Sequence, residues 1–152
     1  MTQKTSMSPM ERVLELRRIP LFAGLSPAEL LRVADIAEES TFPDGDVFAE
    51  EGETGEELYI ILTGTVRVLR EEHGTAVEVA RRVPGDVIGE MSIISRAPRI
   101  ASLVAEGDVR AISIGRREFE SMLAERPDVA LAVMRSLADR LGAVTAEHAR
   151  RG

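Results

Sequence analysis

The chain has 152 residues, of which 44% are hydrophobic and 30% charged, a size and composition that fit one globular domain with an adequate core. The absence of cysteine excludes disulfides, thiolate metal sites and iron–sulfur clusters, and the net charge of −7 argues against a nucleic-acid-binding surface. No apolar run approaches the ~20 residues of a bilayer span and the N-terminus lacks a signal-peptide pattern, so we expect a cytoplasmic protein with no membrane or nucleic-acid partner.

Two helix start signals open the chain. The segments Ser8–Glu11 (SPME) and Ser26–Glu29 (SPAE) each have the form of a capping box with proline at the first helical position. The first signal predicts a short helix that runs to about Arg17. The second precedes apolar residues at helical spacing as far as Ile36, which predicts a second short helix.

Glycine-containing turns punctuate the middle of the chain from Glu39 to Ile114. The short alternating runs between these turns are typical of strands that are buried on one face. The turns are Pro43–Gly45, Glu51–Gly52, Thr63–Gly64, His73–Gly74, Pro84–Gly85 and Glu106–Gly107. About eight such strands indicate a mainly β fold with flanking helices: an eight-stranded jelly-roll β-barrel with N-terminal helices and two C-terminal helices.

The two C-terminal helices follow the strands directly. The segment Arg116–Glu125 is predicted to be one helix, which ends before Pro127 because proline cannot continue it. Asp128 is predicted to cap the last helix, from Val129 to about His148. The apolar stripe of this helix consists of Ala130, Val133, Met134, Leu137, Leu141 and Val144.

The segment from Val87 to Ser102 has the parts needed to hold a small sugar phosphate. Gly89 and Glu90 stand at the start of a short helical turn, the only helical interruption expected inside the sheet, and the free backbone N–H groups of such a turn bind phosphate. Arg99, ten residues after the glycine, adds a charge-assisted contact. A carboxylate beside them accepts a hydrogen bond from a ribose hydroxyl.

This segment resembles the phosphate-binding cassette of cyclic nucleotide-binding domains. The family pattern is roughly F-G-E-L-A-L-L, a short variable stretch and then P-R-A-A-T-V; the chain has I-G-E-M-S-I-I, then S-R-A, then P-R-I-A-S-L. The segment Pro43–Val66 is similar to the family's glycine-punctuated first strands, and the similarity covers about Ile19 to Val144. It implies a cyclic nucleotide-binding domain over residues 19–152, preceded by a helical extension over residues 1–18.

The resemblance also implies a role for each cassette residue. Arg99 holds the exocyclic phosphate oxygens, and Glu90 accepts a hydrogen bond from the ribose 2′-hydroxyl. Gly89 lets the backbone approach the sugar phosphate closely, and the N–H groups of Met91 and Ser92 point at the phosphate. The residues alone also fit an ordinary surface arginine and a glutamate that is stabilised by the helix dipole.

Ile100 departs from the family pattern at a phosphate-binding position, where relatives have alanine, serine or threonine. Threonine or serine there often accompanies a preference for guanine, so Ile100 favours cyclic AMP over cyclic GMP. The bulk of the side chain next to the phosphate also supports a degenerate pocket that has lost its ligand.

Five further residues correspond to positions near the base in relatives. Val68, Val79 and Ala80 align with base-facing strand positions, and plain sheet core is the alternative for all three. Arg140 and Val144 lie on the last helix, where relatives close over the base; a solvated helix position is the alternative for the arginine.

The leading hypothesis is a regulatory module that binds a cyclic nucleotide, cyclic AMP or else cyclic GMP, without catalytic residues, metal or cofactor. It signals through movement of the C-terminal helices to a second copy of the chain or to a fused or associated effector that contacts the last helix. The alternative is a degenerate domain that acts in protein interaction or dimerisation without ligand. A jelly-roll metalloenzyme is disfavoured because His73 and His148, the two histidines, are far apart in sequence.

Overall fold

The computed structural model describes residues 7–89, 93 and 95–151, and for residues 136, 140, 141 and 143–151 this description is limited to the backbone. The helices are α1 (Pro9–Arg17), α2 (Pro27–Ile36), α3 (Arg116–Glu125) and α4 (Pro127–Arg151), with a short 3₁₀ turn at Pro20–Phe22. The strands are β1 (Ala37–Phe42), β2 (Val47–Ala49), β3 (Glu57–Glu72), β4 (Thr75–Arg82), β5 (Val87–Ile88) and β6 (Ser102–Gly115).

Both N-terminal helices begin at the predicted capping boxes. The Ser8 hydroxyl accepts a hydrogen bond from the backbone N of Glu11 at 3.2 Å, and Ser26 accepts one from Glu29 at 3.2 Å. Each cap satisfies a backbone donor that the first helical turn leaves unpaired, worth about 1 kcal/mol. The prediction of these two helices is confirmed. Helix α1 packs against α2 and buries Leu16 completely.

Glu39 on β1 links the first described residue, Met7, to the sheet through hydrogen bonds. Its side chain is 7% exposed. One carboxylate oxygen accepts a hydrogen bond from Nη2 of Arg110 on β6 at 2.6 Å, and the other accepts one from the backbone N of Met7 at 3.2 Å. The segment that leads into α1 is therefore tied to β1 and β6.

The strands form one antiparallel sheet around β3 and β6. The path of neighbouring strands is β1-β6-β3-β4, with β2 also paired to β6 and β5 also paired to β3. This path does not close on itself. The predicted mainly β fold with flanking helices is confirmed, whereas six strands, not eight, are present in the described part of the chain.

The strand count differs because two predicted turns lie inside long strands. Gly64 has φ +90° and lies within β3, and Gly107 has φ +72° and lies within β6. The pairing of β3 with β6 shifts register between Ile61 and Thr63 and again between Thr63 and Thr65. Glycine therefore lets the strand pass through a bulge and continue, where the sequence pattern predicts that it stops.

Alternate residues of β3 enter two separate hydrophobic cores. Leu58 and Ile60 join the helix-side core, which contains the buried side chains of the helices, and Tyr59 and Ile61 join the inner core on the other face. The other helix-side members on strands are Ala37, Val87, Ile112 and Ile114. The other inner-core members are Ala49, Val66, Ile88, Leu103, Ala105, Val109 and Ala111. A strand covered on both faces explains the unbroken apolar run at the start of β3.

The C-terminal helices confirm one predicted boundary and correct another. Helix α3 spans the predicted residues Arg116–Glu125. Asp128 does not cap the last helix, because α4 begins at Pro127 and places Asp128 in its first turn; proline at the first helical position needs no N–H partner. The helix continues to Arg151, beyond the predicted His148. None of the helices over the described residues combines the length and the apolar character that crossing a bilayer needs.

Candidate functional site

The backbone at Arg99 is joined to the loop between β2 and β3. The backbone N of Arg99 donates a hydrogen bond to the carbonyl of Glu53 at 2.8 Å, and the backbone N of Gly52 donates one to the carbonyl of Arg99 at 2.8 Å. The preceding residue, Pro98, forms an isolated antiparallel bridge with Thr54. These contacts fix the position from which the Arg99 side chain extends.

The side chain of Arg99 is buried, with 8% of its residue surface exposed. Its Nη2 donates a hydrogen bond to the carbonyl of Glu57 at 2.8 Å, at the first residue of β3. Its Cζ lies 5.8 Å from the centre of the Tyr59 ring. In the part of the chain that the structure describes, no carboxylate forms a salt bridge with this guanidinium.

Gly89 lies directly beside the Arg99 guanidinium. The glycine has φ +90°, and a Cβ built on it would lie 2.9 Å from Nη1 of Arg99 and 3.0 Å from the carbonyl oxygen of Glu57. Any side chain at this position would thus strain the backbone and displace the arginine. The structure thus brings Gly89 and Arg99, which are ten residues apart in the predicted motif, into contact.

The turn after Gly89 is described only in part. Ile93 and Ser95 have helical backbone, and the N of Ile93 donates a hydrogen bond to the carbonyl of Gly89 at 3.3 Å. Ile93 is fully buried in the helix-side core. The predicted ribose and phosphate contacts at Glu90, Met91 and Ser92 lie outside the described residues.

Ile100 is mostly exposed, although it directly follows the buried arginine. Its surface is 76% exposed, in contrast to the neighbouring Arg99. Most of the isoleucine side chain is therefore exposed and not packed around the guanidinium, and its effect on a bound phosphate stays a prediction.

Two of the predicted base-pocket residues are paired on adjacent strands of the sheet. Val68 on β3 pairs with Ala80 on β4 and packs half-buried against the inner core. Val79 is 44% exposed and lies at the register shift of this strand pair. The side chains of Arg140 and Val144 on α4 lie outside the described residues.

An aromatic cluster next to Arg99 was not predicted from the sequence. Phe42 and Phe48 stack at 4.2 Å, and their rings meet Tyr59 nearly edge-on at 5.8 Å and 5.2 Å. Burial raises the pKa of the Tyr59 phenol from 10.0 to about 12; Glu57 adds to the rise, and the charge of Arg99 opposes it. The sequence carries one signal for this cluster: Tyr59, the chain's single tyrosine, lies in an apolar run that is typical of a buried strand.

Two contacts connect this region to α3. Nε of Arg116 donates a hydrogen bond to the carbonyl of Gly55 at 2.9 Å, in the loop that also holds Arg99. Nη2 of Arg96, three residues before Arg99, lies 3.3 Å from Oε2 of Glu120. Over the described residues, no group of three or more histidine or acidic side chains could hold a metal ion.

Comparisons with known proteins agree with the resemblance seen in the cassette. The family described as "Cyclic nucleotide-binding domain" matches residues 39–126. The chain is 34% identical over 127 residues to a CRP-like cAMP-activated global transcriptional regulator of Mycobacterium tuberculosis, covering 83% of this chain and 57% of that protein. It is 31% identical over 115 residues to a cAMP-dependent protein kinase regulatory subunit of Blastocladiella emersonii, covering 75% of this chain and 28% of that protein.

A solved structure supports the fold. The N-terminal domain of a transcriptional regulator from Streptomyces coelicolor superimposes with a TM-score of 0.77 at 33% identity, covering 86% of this chain and 94% of that one. The chain thus spans about half the length of the bacterial regulator and a smaller share of the kinase subunit, and both of these relatives are named as regulatory proteins.

Proposed function

Because the chain belongs to the cyclic nucleotide-binding domain family, we propose that it binds cyclic AMP at Arg99 and signals this binding through its C-terminal helices. The observation that supports the proposal best is the buried Arg99 guanidinium, whose Nη2 donates to the Glu57 carbonyl and whose Nη1 lies beside Gly89. A buried charge is costly unless it is paired. An anionic ligand at this place removes that cost.

The shape around the guanidinium suits a cyclic phosphate. The carbonyl of Glu57 takes a hydrogen bond from one nitrogen, and the absence of a side chain at Gly89 leaves room beside the other. Arginine donates to phosphate oxygens in a planar fork, which a point charge cannot reproduce. Because the protein is acidic overall, this local geometry and not the general field captures the anion.

The exposed side chain of Ile100 bears on the choice of base. In this proposal the exposed side chain does not occupy the space beside the guanidinium, and it supplies no hydroxyl to the ligand. We therefore expect tighter binding of cyclic AMP than of cyclic GMP, with the cross-strand pair Val68 and Ala80 beside the base.

The signal passes from the ligand to the helices in this proposal. Ile93 follows the phosphate-binding turn and shares the helix-side core with Phe119 of α3 and Val129 of α4. The contacts of Arg96 and Arg116 join the same region to α3. A ligand that binds better to one position of these helices shifts the population toward it.

The output surface in this proposal is the outer side of α4. Leu131 and Met134 are 43% and 59% exposed there, which suits contact with a second copy or with an effector. Light scattering with and without cyclic AMP distinguishes a dimer that depends on ligand from one that does not. A ligand-independent dimer in a protein that binds no nucleotide would favour the interaction-module alternative.

Isothermal titration calorimetry of the full chain with cyclic AMP and cyclic GMP tests the proposal. Arg99→Ala should weaken cyclic AMP binding by about 100-fold or more, because it removes a charge-assisted pair of hydrogen bonds. Arg70→Ala is the matched control, since it makes the same change in charge at an exposed arginine that pairs with Glu72. Absence of binding by the wild-type protein at millimolar nucleotide contradicts the proposal.

A further inference from the structure

The Arg99 guanidinium lies over the ring of Tyr59. The two are separated by 5.8 Å from Cζ to ring centre, and the tyrosine is 6% exposed. Tyr59 lies two residues after Glu57, whose carbonyl accepts the hydrogen bond from Nη2. One strand therefore supplies both the carbonyl that accepts a hydrogen bond from the guanidinium and the ring beneath it.

The Tyr59 ring belongs to a cluster of three aromatic rings. Phe42 and Phe48 meet Tyr59 at interplanar angles of 83° and 84°, the edge-to-face arrangement that aromatic pairs prefer. All three rings belong to or pack against the inner core. A cation over an aromatic face gains more when both are shielded from water, as they are here.

We propose, on the premise of the function above, that Tyr59 is a positioning residue that holds the Arg99 guanidinium in its phosphate-binding orientation before the ligand arrives. The aromatic face stabilises the charge while no phosphate is present. It also reduces the rotamer freedom that Arg99 would otherwise lose on binding, which preserves affinity. The phenol hydroxyl has no part in this role, and only the ring is needed.

Three variants of the full chain separate positioning from core packing. Tyr59→Leu removes the ring, and Tyr59→Phe keeps it without the hydroxyl. Phe48→Leu removes another ring of the same cluster, 5.2 Å from Tyr59, and is the matched control for lost packing. Tyr59→Met replaces Tyr59→Leu if the leucine variant does not fold.

The first measurement is the side-chain Hε resonance of Arg99 in ligand-free protein by NMR, assigned through its loss in Arg99→Lys. We expect a ring-current displacement in the wild type, in Tyr59→Phe and in Phe48→Leu, and its loss in Tyr59→Leu. An Arg99 resonance that is the same in Tyr59→Leu as in the wild type overturns the proposal.

The second measurement is cyclic AMP affinity by calorimetry. Tyr59→Leu should bind about tenfold more weakly, whereas Tyr59→Phe and Phe48→Leu should stay within about twofold of the wild type. Equal losses in Tyr59→Leu and Phe48→Leu indicate lost packing alone and overturn the positioning role. A wild type that binds no nucleotide overturns the proposed function instead, and the Arg99 resonance then decides separately whether Tyr59 orients the guanidinium.

Discussion

The two faces of β3 differ in what they contribute to the molecule. Leu58 and Ile60 enter the helix-side core together with the buried side chains of the helices. Tyr59, one residue away on the opposite face, enters the inner core and contacts a buried cation. Alternation along one strand thus separates residues that pack against the helices from residues beside the proposed ligand site.

The largest expected effect comes from the helix-side face. Ile60→Ala should lower the free energy of unfolding by about 3 kcal/mol, because the side chain is fully buried and its loss leaves a cavity. Urea denaturation measures the loss. Calorimetry at a temperature where the variant is folded should give a cyclic AMP affinity close to that of the wild type, and a parallel loss of affinity would show that the two faces are not separate.

Gly89→Ala should act mainly on the site. The new methyl would lie against Nη1 of Arg99, so we expect cyclic AMP affinity to fall by at least about tenfold, together with a stability loss of about 1 kcal/mol from the positive φ. Gly85→Ala is the control, because Gly85 has φ +96° with nothing within 4 Å of its Cβ position. Gly85→Ala should lose only the stability that the positive φ costs and should keep its affinity, and equal affinities of the two variants would refute the close approach at Gly89.

The pH dependence of stability tests burial on the inner face. The pKa of Tyr59 is raised from 10.0 to about 12, so the unfolded chain loses its phenol proton at a lower pH than the folded protein. The stabilisation is complete below about pH 10 and disappears as the pH rises through about 12. We expect the wild type to lose about 1 to 2 kcal/mol relative to Tyr59→Phe across this interval. Identical urea-denaturation profiles for the two proteins would show that the phenol is solvated.

The smallest effect on stability is expected from the exposed link to α3. Glu120→Gln should change the free energy of unfolding by less than about 0.5 kcal/mol, because Arg96 and Glu120 have side-chain exposures of 71% and 37%. If the pair conveys ligand binding, the cyclic AMP-dependent change in amide exchange of α3 should decrease in this variant. An unchanged exchange response would leave Arg116 and Ile93 as the route.

The sequence predicts those features that are decided within a few residues. The capping boxes at Ser8 and Ser26 and the helix Arg116–Glu125 follow from local rules and are confirmed. The predicted number of strands is wrong because a glycine with φ > 0, such as Gly64, fits both a turn and a bulge. Only the pairing with the partner strand decides between the two. Asp128 was misplaced because Pro127 is as good a helix start as an aspartate cap.

The site is predictable only as far as the motif reaches. Gly89 and Arg99 come from the cassette pattern, and the structure brings them within contact. The roles of Glu90, Met91 and Ser92 stay predictions. Tyr59 could not be found in this way, because strand alternation marks it as core and its contact with Arg99 joins elements that are distant in sequence.

The tie between Glu39 and Met7 has a practical consequence for preparing shorter fragments. A fragment that starts after α1 would lack the hydrogen bond from Met7 to one carboxylate oxygen of Glu39, whose side chain is 7% exposed. It would also expose the surface of α2 that α1 covers. A fragment for expression should therefore begin before Met7. A fragment that begins at residue 19 should give a lower yield and should precipitate more readily.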